Sequence, residues 1–497
     1  MSIEIDVRTA KTGFWHLPKT FYAVLFIEFW ERFAFYGLQS IAVIYFIQKF
    51  GIKEADADNL FASFSALLYA LLTVGGAIGD KYLGLRRTYF LGIAFLIIGY
   101  GALSMSSNIF WMHMSMGIVL VGNALFKTNA NNYVGRCFES NDPRLDAAFT
   151  YFYMAINLGS FSSMVIIPIL ASAVGYHEAL SLCAVGMVVG LLSFFWFFRR
   201  FRDSDNAVGK NTKRLWMRML LVSLVAVVLA ICLGYLLQNL ILSRRVLYFI
   251  AVVTIIIYLI IATRVNRNEA KGMYIALLLL LIGIVFFAMY IQTATSMTLF
   301  ALQNVRLTVL GYTIPAGVTQ SFNGMFIVLF SPILANLYTN LHVRNINFTI
   351  PAKFVLGILL TGCCFVCLGL GGRFFADANA QISLWWMVIA YAFYSAGELF
   401  VSALGASMMA QLLPKRFGGF AQGVWYLFTA IGMKIGGELS GIAAEASGMS
   451  VDKFGALNAY VDVFYKLGLT TIAIAFVLSF TVRRLSRAMQ SVLDKKY

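Results

Sequence analysis

Two glutamates and an arginine, Glu28, Glu31 and Arg32, interrupt an otherwise apolar stretch running from Phe21 to Phe50. Carboxylates and a guanidinium in such surroundings cost several kcal/mol unless they pair or line a wet cavity, so residues of this kind mark proton or solute pathways. On a helix the three positions fall within roughly 100° of arc, which lets Glu28 and Arg32 pair at i, i+4 while Glu31 projects beside them. One carboxylate is then short of a counter-charge, and such a group can load and release a proton. A static buried ion pair is the competing reading, and the excess of acids over bases at this point counts against it.

Later apolar stretches carry isolated polar residues: Lys127 in Leu125-Phe-Lys-Thr-Asn129, Asn157 in Ala155-Ile-Asn-Leu-Gly159, Gln292 in Tyr290-Ile-Gln-Thr293, and Glu398 in Ala396-Gly-Glu-Leu399. They can converge on one central cavity. Lys127 could instead snorkel toward the polar run Thr128 to Asn132. Glu398 has no such escape: it lies about ten residues from either end of its stretch, shares a face with Tyr391, Tyr394 and Ser402, and has no base nearby in sequence. It is the strongest single binding candidate. Trp425 is assigned to neither lipid nor cavity by pattern alone. Lys434 and Glu438, at i, i+4 near the end of their stretch, read as an interfacial anchor. His16, His113, His177 and His342 fall at stretch ends or loops and give little support to a histidine relay or metal site. Cys363, Cys364 and Cys367 sit among Phe, Val and Leu and read as packing residues, and scattered Cys137, Cys183 and Cys232 imply no disulfide framework. With no nucleophile and base pair, metal cluster or nucleotide loop, an enzyme is not the expectation.

The elements that carry these residues are membrane spans. Of 497 residues, 60% are apolar and only 12% charged, more apolar surface than a soluble fold can hide. Runs of about 20 apolar residues recur about fourteen times, near 21–48, 60–79, 88–107, 110–134, 147–172, 179–198, 217–240, 246–263, 273–301, 318–341, 353–371, 384–411, 418–441 and 460–482. The expected fold is therefore all-α and polytopic. Residues 1–200 hold six spans, 201–271 a basic linker with two extra spans of Leu, Val and Ile that face lipid, and 272–497 six more spans with a tail. Gly, Ser and Ala let these helices approach closely, and Pro332 predicts a kink.

The net charge of +16 gathers in short segments between spans, not on an aromatic-interleaved surface, so nucleic acid is not an expected partner. Arg86 and Arg87, Arg199 to Arg218, Arg264 to Lys271, Lys415 and Arg416, and Arg483 to Lys496 fall on one side if both termini are cytoplasmic; Arg244 and Arg245 break the pattern. The polar start Met1 to Thr20 shows no cleavable signal peptide.

Several segments in order resemble the proton-dependent oligopeptide transporter family, a branch of the major facilitator superfamily. Glu28-Phe-Trp-Glu-Arg-Phe-Ala-Phe-Tyr-Gly37 is close to the family's ExxERFxYYG. Gly75-Gly-Ala-Ile-Gly-Asp80 through Arg86-Arg-Thr88 resembles its loop after span two, and Phe149-Thr-Tyr-Phe-Tyr-Met-Ala-Ile-Asn-Leu-Gly-Ser160 its fifth-span signature. Asn123-Ala-Leu-Phe-Lys127, Gly397-Glu-Leu-Phe400 and Pro414-Lys-Arg-Phe417 match as well. The resemblance implies two six-helix bundles plus two inserted helices, importing dipeptides and tripeptides with protons by alternating access, in the inner membrane of a bacterium, as a monomer and with no cofactor beyond the coupling proton. By position, Glu28, Glu31, Arg32 and Lys127 would serve proton coupling. Glu398 would meet the peptide amino group and Lys127 or Arg32 its carboxylate; Tyr36, Tyr69, Tyr153, Asn157, Gln292, Ser402 and Trp425 would complete the substrate site. Two charged positions of the family's outer gate are here Gln39 and Ile291, a paired loss that avoids one unpaired membrane charge and resembles the bacterial dipeptide and tripeptide permease subgroup. Phe287 replaces a common tryptophan and Ser402-Ala-Leu-Gly405 a Ser-Pro pattern. The same fold carrying nitrate, a glucoside, a drug-like amide or a modified peptide is the alternative.

Overall fold

The computed structural model describes residues 17–138, 144–197, 212–309, 311–344, 348–450 and 452–494. The N-terminal segment with His16, linker residues 198–211 and the last three residues lie outside the described residues. The rest is almost entirely helical: α1 (Lys19–Phe50), α2 (Glu54–Ile78), α3 (Leu85–Ser104), α4 (Ile109–Arg136), α5 (Leu145–Ala173), α6 (Tyr176–Trp196), α7 (Thr212–Gln238), α8 (Leu240–Arg264), α9 (Arg267–Tyr290), α10 (Ser296–Asn304), α11 (Ser321–Val343), α12 (Ile350–Phe374), α13 (Leu384–Leu412), α14 (Gly418–Gly448) and α15 (Lys453–Leu493). Among the described residues thirteen stretches are long and apolar enough to cross a membrane, with α9 and α10 counted as one, and α14 has the length as well. The chain is a multi-pass, all-α membrane protein. Between α10 and α13 lie four two-residue strands: β1 (Val305–Arg306) pairs in parallel with β4 (Ile382–Ser383), and β2 (Thr308–Val309) antiparallel with β3 (Tyr312–Thr313).

Helix limits follow local chemistry. Asn108, Asn239, Asn266 and Asp452 accept from backbone N–H groups at the starts of α4, α8, α9 and α15, satisfying donors that lipid could not. Gly84 ends the turn after α2 at φ 80°, a conformation that favours glycine. Pro332 lies inside α11 as expected, and Pro168 inside α5 too.

The chain divides into two compact units. The first holds residues up to Leu38, Val74–Ser163 and Val174–Tyr235; the second holds Gln39–Thr73, Met164–Ala173 and Leu236–Tyr497. In the first, glycines set the spacing. A Cβ on Gly75 would strike the Ala124 carbonyl, and one on Gly159 the Phe29 carbonyl, so the end of α2 lies directly on α4 and α5 on α1. Both contacts flank the charged positions of α1 and α4. In the second unit Gly357 and Gly397 face each other's backbone where α12 crosses α13, beside Glu398.

The two inserted helices are apolar and outward-facing, with Leu220, Leu221, Leu224, Phe249, Ile256 and Ile260 exposed. Their attachments differ. α7 meets α4 at Gly117 and Gly234 within the first unit, while α8 in the second donates from Tyr258 Oη to the Met273 carbonyl at 2.7 Å. Arg244 and Arg245 fall inside α8, not in a loop, and Arg244 stands 3.8 Å from Glu438.

Candidate functional site

Four charged side chains meet in the first unit, but not in the expected pairing. Arg32 donates from Nε and Nη2 to the two oxygens of Glu31, both at 2.6 Å, a fork held by adjacent residues. Glu28 instead accepts from Lys127 Nζ at 2.5 Å, with Arg32 Nε 3.7 Å away. The Glu28–Arg32 pair is thus the longer contact. Lys127 does not snorkel either: it leaves the α4 backbone toward α1, its side chain only 20% exposed. Two acids face two bases, so the excess of acid seen along α1 is cancelled from α4. Adding a proton to Glu28 would free Lys127 by breaking one bond, whereas freeing Arg32 from Glu31 breaks two. Among the described residues Glu28 Oε2 is buried without a partner, a position where a proton can sit. The rings of Phe35 and Tyr36 lie 5.1 and 5.7 Å from the Arg32 guanidinium. Tyr153 is 48% exposed, and Asn157 Nδ2 bonds the Tyr153 carbonyl at 2.8 Å, one turn back on α5.

In the second unit Glu398 of α13 accepts from Asn323 Nδ2 of α11 at 2.9 Å, and Ser395 donates to Asn323 Oδ1 at 2.7 Å. Asn323 was not singled out in the sequence, because a polar residue in the first turn of a span resembles a helix end. Its orientation by Ser395 aims the amide nitrogen at the carboxylate, which has no cationic partner among the described residues. Tyr391 and Tyr394 are buried beside it, and Ser402 is half-buried one turn further along α13.

Trp425 is buried, its ring edge-on to Phe287 at 5.6 Å and pressed against Gly405. Phe287, one of the departures, and Gly405 thus form one slot for the indole. Tyr69 stands 6.3 Å from Tyr426, one residue past Trp425. Gln292, expected in the cavity, has another task. Its Nε2 donates to the Gly436 carbonyl at 2.6 Å and to Ala288, and its Oε1 accepts from Ser296. Fully buried, it ties the break between α9 and α10 to α14, leaving little for a ligand.

A further expectation changes in this unit. Lys434 is no interfacial anchor: its side chain is 2% exposed and its Nζ donates to Ser63 of α2 at 3.0 Å, with Glu438 at 3.9 Å. Gln39 Nε2 donates to Gln320 Oε1 at 3.4 Å, and Ile291 is buried without taking part in that contact.

The sequence profile of the POT family matches residues 86–458. The chain is 37% identical over 487 residues to dipeptide and tripeptide permease B of Aeromonas hydrophila subsp. hydrophila, covering 97% of this chain and 96% of that one. It is 39% identical over 475 residues to dipeptide and tripeptide permease A of Erwinia pyrifoliae, covering 95% of each. Among solved structures it resembles a bacterial homologue of the human drug peptide transporters PepT1 and PepT2, with a TM-score of 0.82, 31% identity and coverage of 95% of this chain and 99% of that one. Tetrameric PepTSo2 is similar at 0.82 and 30%, covering 94% of this chain and 99% of that one. With its profile match, full-length relatives and shared helical architecture in agreement, the chain belongs to the POT family.

Proposed function

We propose that this protein is a proton-coupled symporter that imports dipeptides and tripeptides by alternating access of two six-helix bundles, 1–200 and 272–497, with 201–271 supplying the inserted helices. The observation that carries the reading is the neutral quartet Glu28–Lys127 and Glu31–Arg32, and in the proposed cycle its members exchange partners when a proton arrives. Transporter cycles need such an arrangement, since a charge moving between states must never stand alone in hydrocarbon. A proton on Glu28 releases Lys127, and that amine or Arg32 then binds the peptide carboxylate. Glu398, presented by Asn323, takes the peptide ammonium. The peptide's two termini are its constant feature, so clamping them tolerates many side chains, and Tyr36, Tyr69, Tyr153, Ser402 and Trp425 shape the remaining space. The protein works as a monomer in a bacterial inner membrane, with both termini on the cytoplasmic side where its basic segments gather.

Uptake of labelled dialanine into proteoliposomes, with and without an inward proton gradient, tests this. Gradient-driven accumulation is expected in the wild type. Glu28→Gln should abolish accumulation but retain counterflow, and Glu398→Gln should weaken both. A wild-type protein that moves no dialanine and shows no thermal shift with any small peptide would overturn the cargo assignment.

A further inference from the structure

The second unit contains a buried seam where α2 and α14 run antiparallel. Ser440 donates to Asp58 Oδ2, Lys434 donates to Ser63, and between these bonds Ala62 lies so close to Gly437 that a Cβ at 437 has no room. Each helix thus contributes one ionisable group and one hydroxyl, and each ionisable group meets the hydroxyl of the opposite helix. Lys434 keeps a carboxylate, Glu438, within 3.9 Å. Asp58 has no cation among the described residues. It is fully buried, its Oδ1 has no partner among the described residues, and the titratable groups around it make matters worse. Glu54 lies one turn back on α2, bonded by Gln303 at 2.7 Å, and Tyr460 of α15 faces both carboxyls. A carboxylate left in this seam would be an uncompensated buried charge beside a second acid, which a single neutral hydroxyl does not offset. The carboxylic acid fits: Oδ1 is open to the proton, Oδ2 keeps its bond from Ser440, and nothing is left charged.

We propose that Asp58 is a second proton-binding site, distinct from the quartet on α1 and α4, which takes its proton from solution while the α2/α14 seam is open and holds it while the seam is closed. The reaction is simple protonation, carboxylate plus proton giving the acid, with the new O–H on Oδ1 and Ser440 still bonded to Oδ2. Glu54 and Lys434 stay in their own hydrogen bonds. The inference rests on the transporter reading above, which places this seam on the outer side, where an importer driven by protons meets its more acidic solution. External acid then favours closure over bound cargo, and one proton per closure sets the slope.

The test labels Ala66→Cys, one turn past Ala62 on the same face of α2, with a membrane-impermeant maleimide in a chain whose six cysteines are replaced. Exposed Met449→Cys corrects for thiolate reactivity. In an otherwise wild-type chain the corrected rate should rise with external pH, approaching tenfold per unit. Asp58→Asn, which imitates the neutral acid, should label slowly at every pH, and Gly437→Leu, which jams the seam, should label fast at every pH. A flat profile without the Asp58 change, an unaltered slope in Asp58→Asn, or a slope abolished by Lys434→Met but kept by Asp58→Asn would overturn the proposal. Dialanine uptake in the same vesicles reports on the transporter reading separately, since labelling needs no cargo.

Discussion

Replacing Gly405 by alanine adds one carbon, and the structure says where it goes: onto Cη2, Cζ2 and Cζ3 of Trp425, the outer atoms of the indole. A comfortable carbon contact needs about 3.5 Å, so the ring must move by roughly 1.5 Å. It has little freedom to do so. Phe287 packs edge-on against it at 5.6 Å, and Gly283 lies beyond, where even a Cβ would stand only 3.7 Å from Cζ3. Overpacking of this kind costs about 1–3 kcal/mol, and at about 2 cal/mol/K per residue of unfolding entropy 2 kcal/mol lowers Tm by roughly 2 °C in a chain of this size. The displaced ring should also shift tryptophan emission and raise the KM for dialanine more than it changes kcat. The decisive assay is a cycle with Trp425→Phe, whose shorter ring stops before the clashing atoms. Gly405→Ala should cost little in that background, giving a coupling of about 1–3 kcal/mol. If Gly405→Ala is as stable and as tight for peptide as the wild type, or if Trp425→Phe fails to rescue it, the slot does not hold the indole as described.

Three other outcomes are expected. Asn323→Leu removes the Glu398 hydrogen bond and strands Ser395, so peptide affinity measured by thermal shift or counterflow should fall about 10- to 100-fold, the scale of a bond to a charged group. Lys127→Met should destabilise the fold by about 3–5 kcal/mol, and adding Glu28→Gln should recover most of that in thermal unfolding, because the cost lies in the abandoned charge and not in the lost bond. Outside the membrane, Arg306 donates to Asp377 at 2.6 Å and holds its carboxyl below the usual range. A depressed folded value stabilises above the unfolded value of about 4 and is lost as the pH falls through it. Arg306→Gln should therefore lower the unfolding midpoint at pH 6, and its difference from the wild type should shrink as the pH is taken below about 4, through the lower folded value.

The charged residues of the spans were legible because an apolar background makes a lone Glu or Lys conspicuous, and apolar run length placed nearly every helix. Partners were less legible. Arg32 and Glu28 fit the i, i+4 rule, yet Lys127, 99 residues away, competes better for Glu28 and leaves Arg32 to its neighbour. Gln292 shows how polarity misleads: sequence reveals that an amide lies in a span, not that a helix break nearby needs it. Lys434 misled in the same way, since an anchor and a buried amine differ only in what the opposite helix offers, here Ser63. Asn323 and Gly405 were hidden for the opposite reason. One looked like a helix end and the other like any small residue of a span, and their roles depend on Glu398 and Trp425 reaching them from other helices.

Glu398 and Asp58 share surroundings that Glu28, Glu31 and Glu438 do not. Glu28, Glu31 and Glu438 each face a cation, whereas Glu398 and Asp58 are held only by a neutral donor, Asn323 and Ser440. A carboxyl held that way is completed by whatever positive species reaches it, and the surroundings decide which one can. Glu398 is only half-buried, with Tyr394 and Tyr391 one and two turns back on α13. Asp58 lies under a glycine–alanine contact too tight for anything larger than a proton. If that distinction is right, exchanging the two environments should exchange the ligands: opening the seam with Gly437→Leu should let a small ammonium compound compete at Asp58, seen as protection of Ala66→Cys from labelling that disappears in Asp58→Asn.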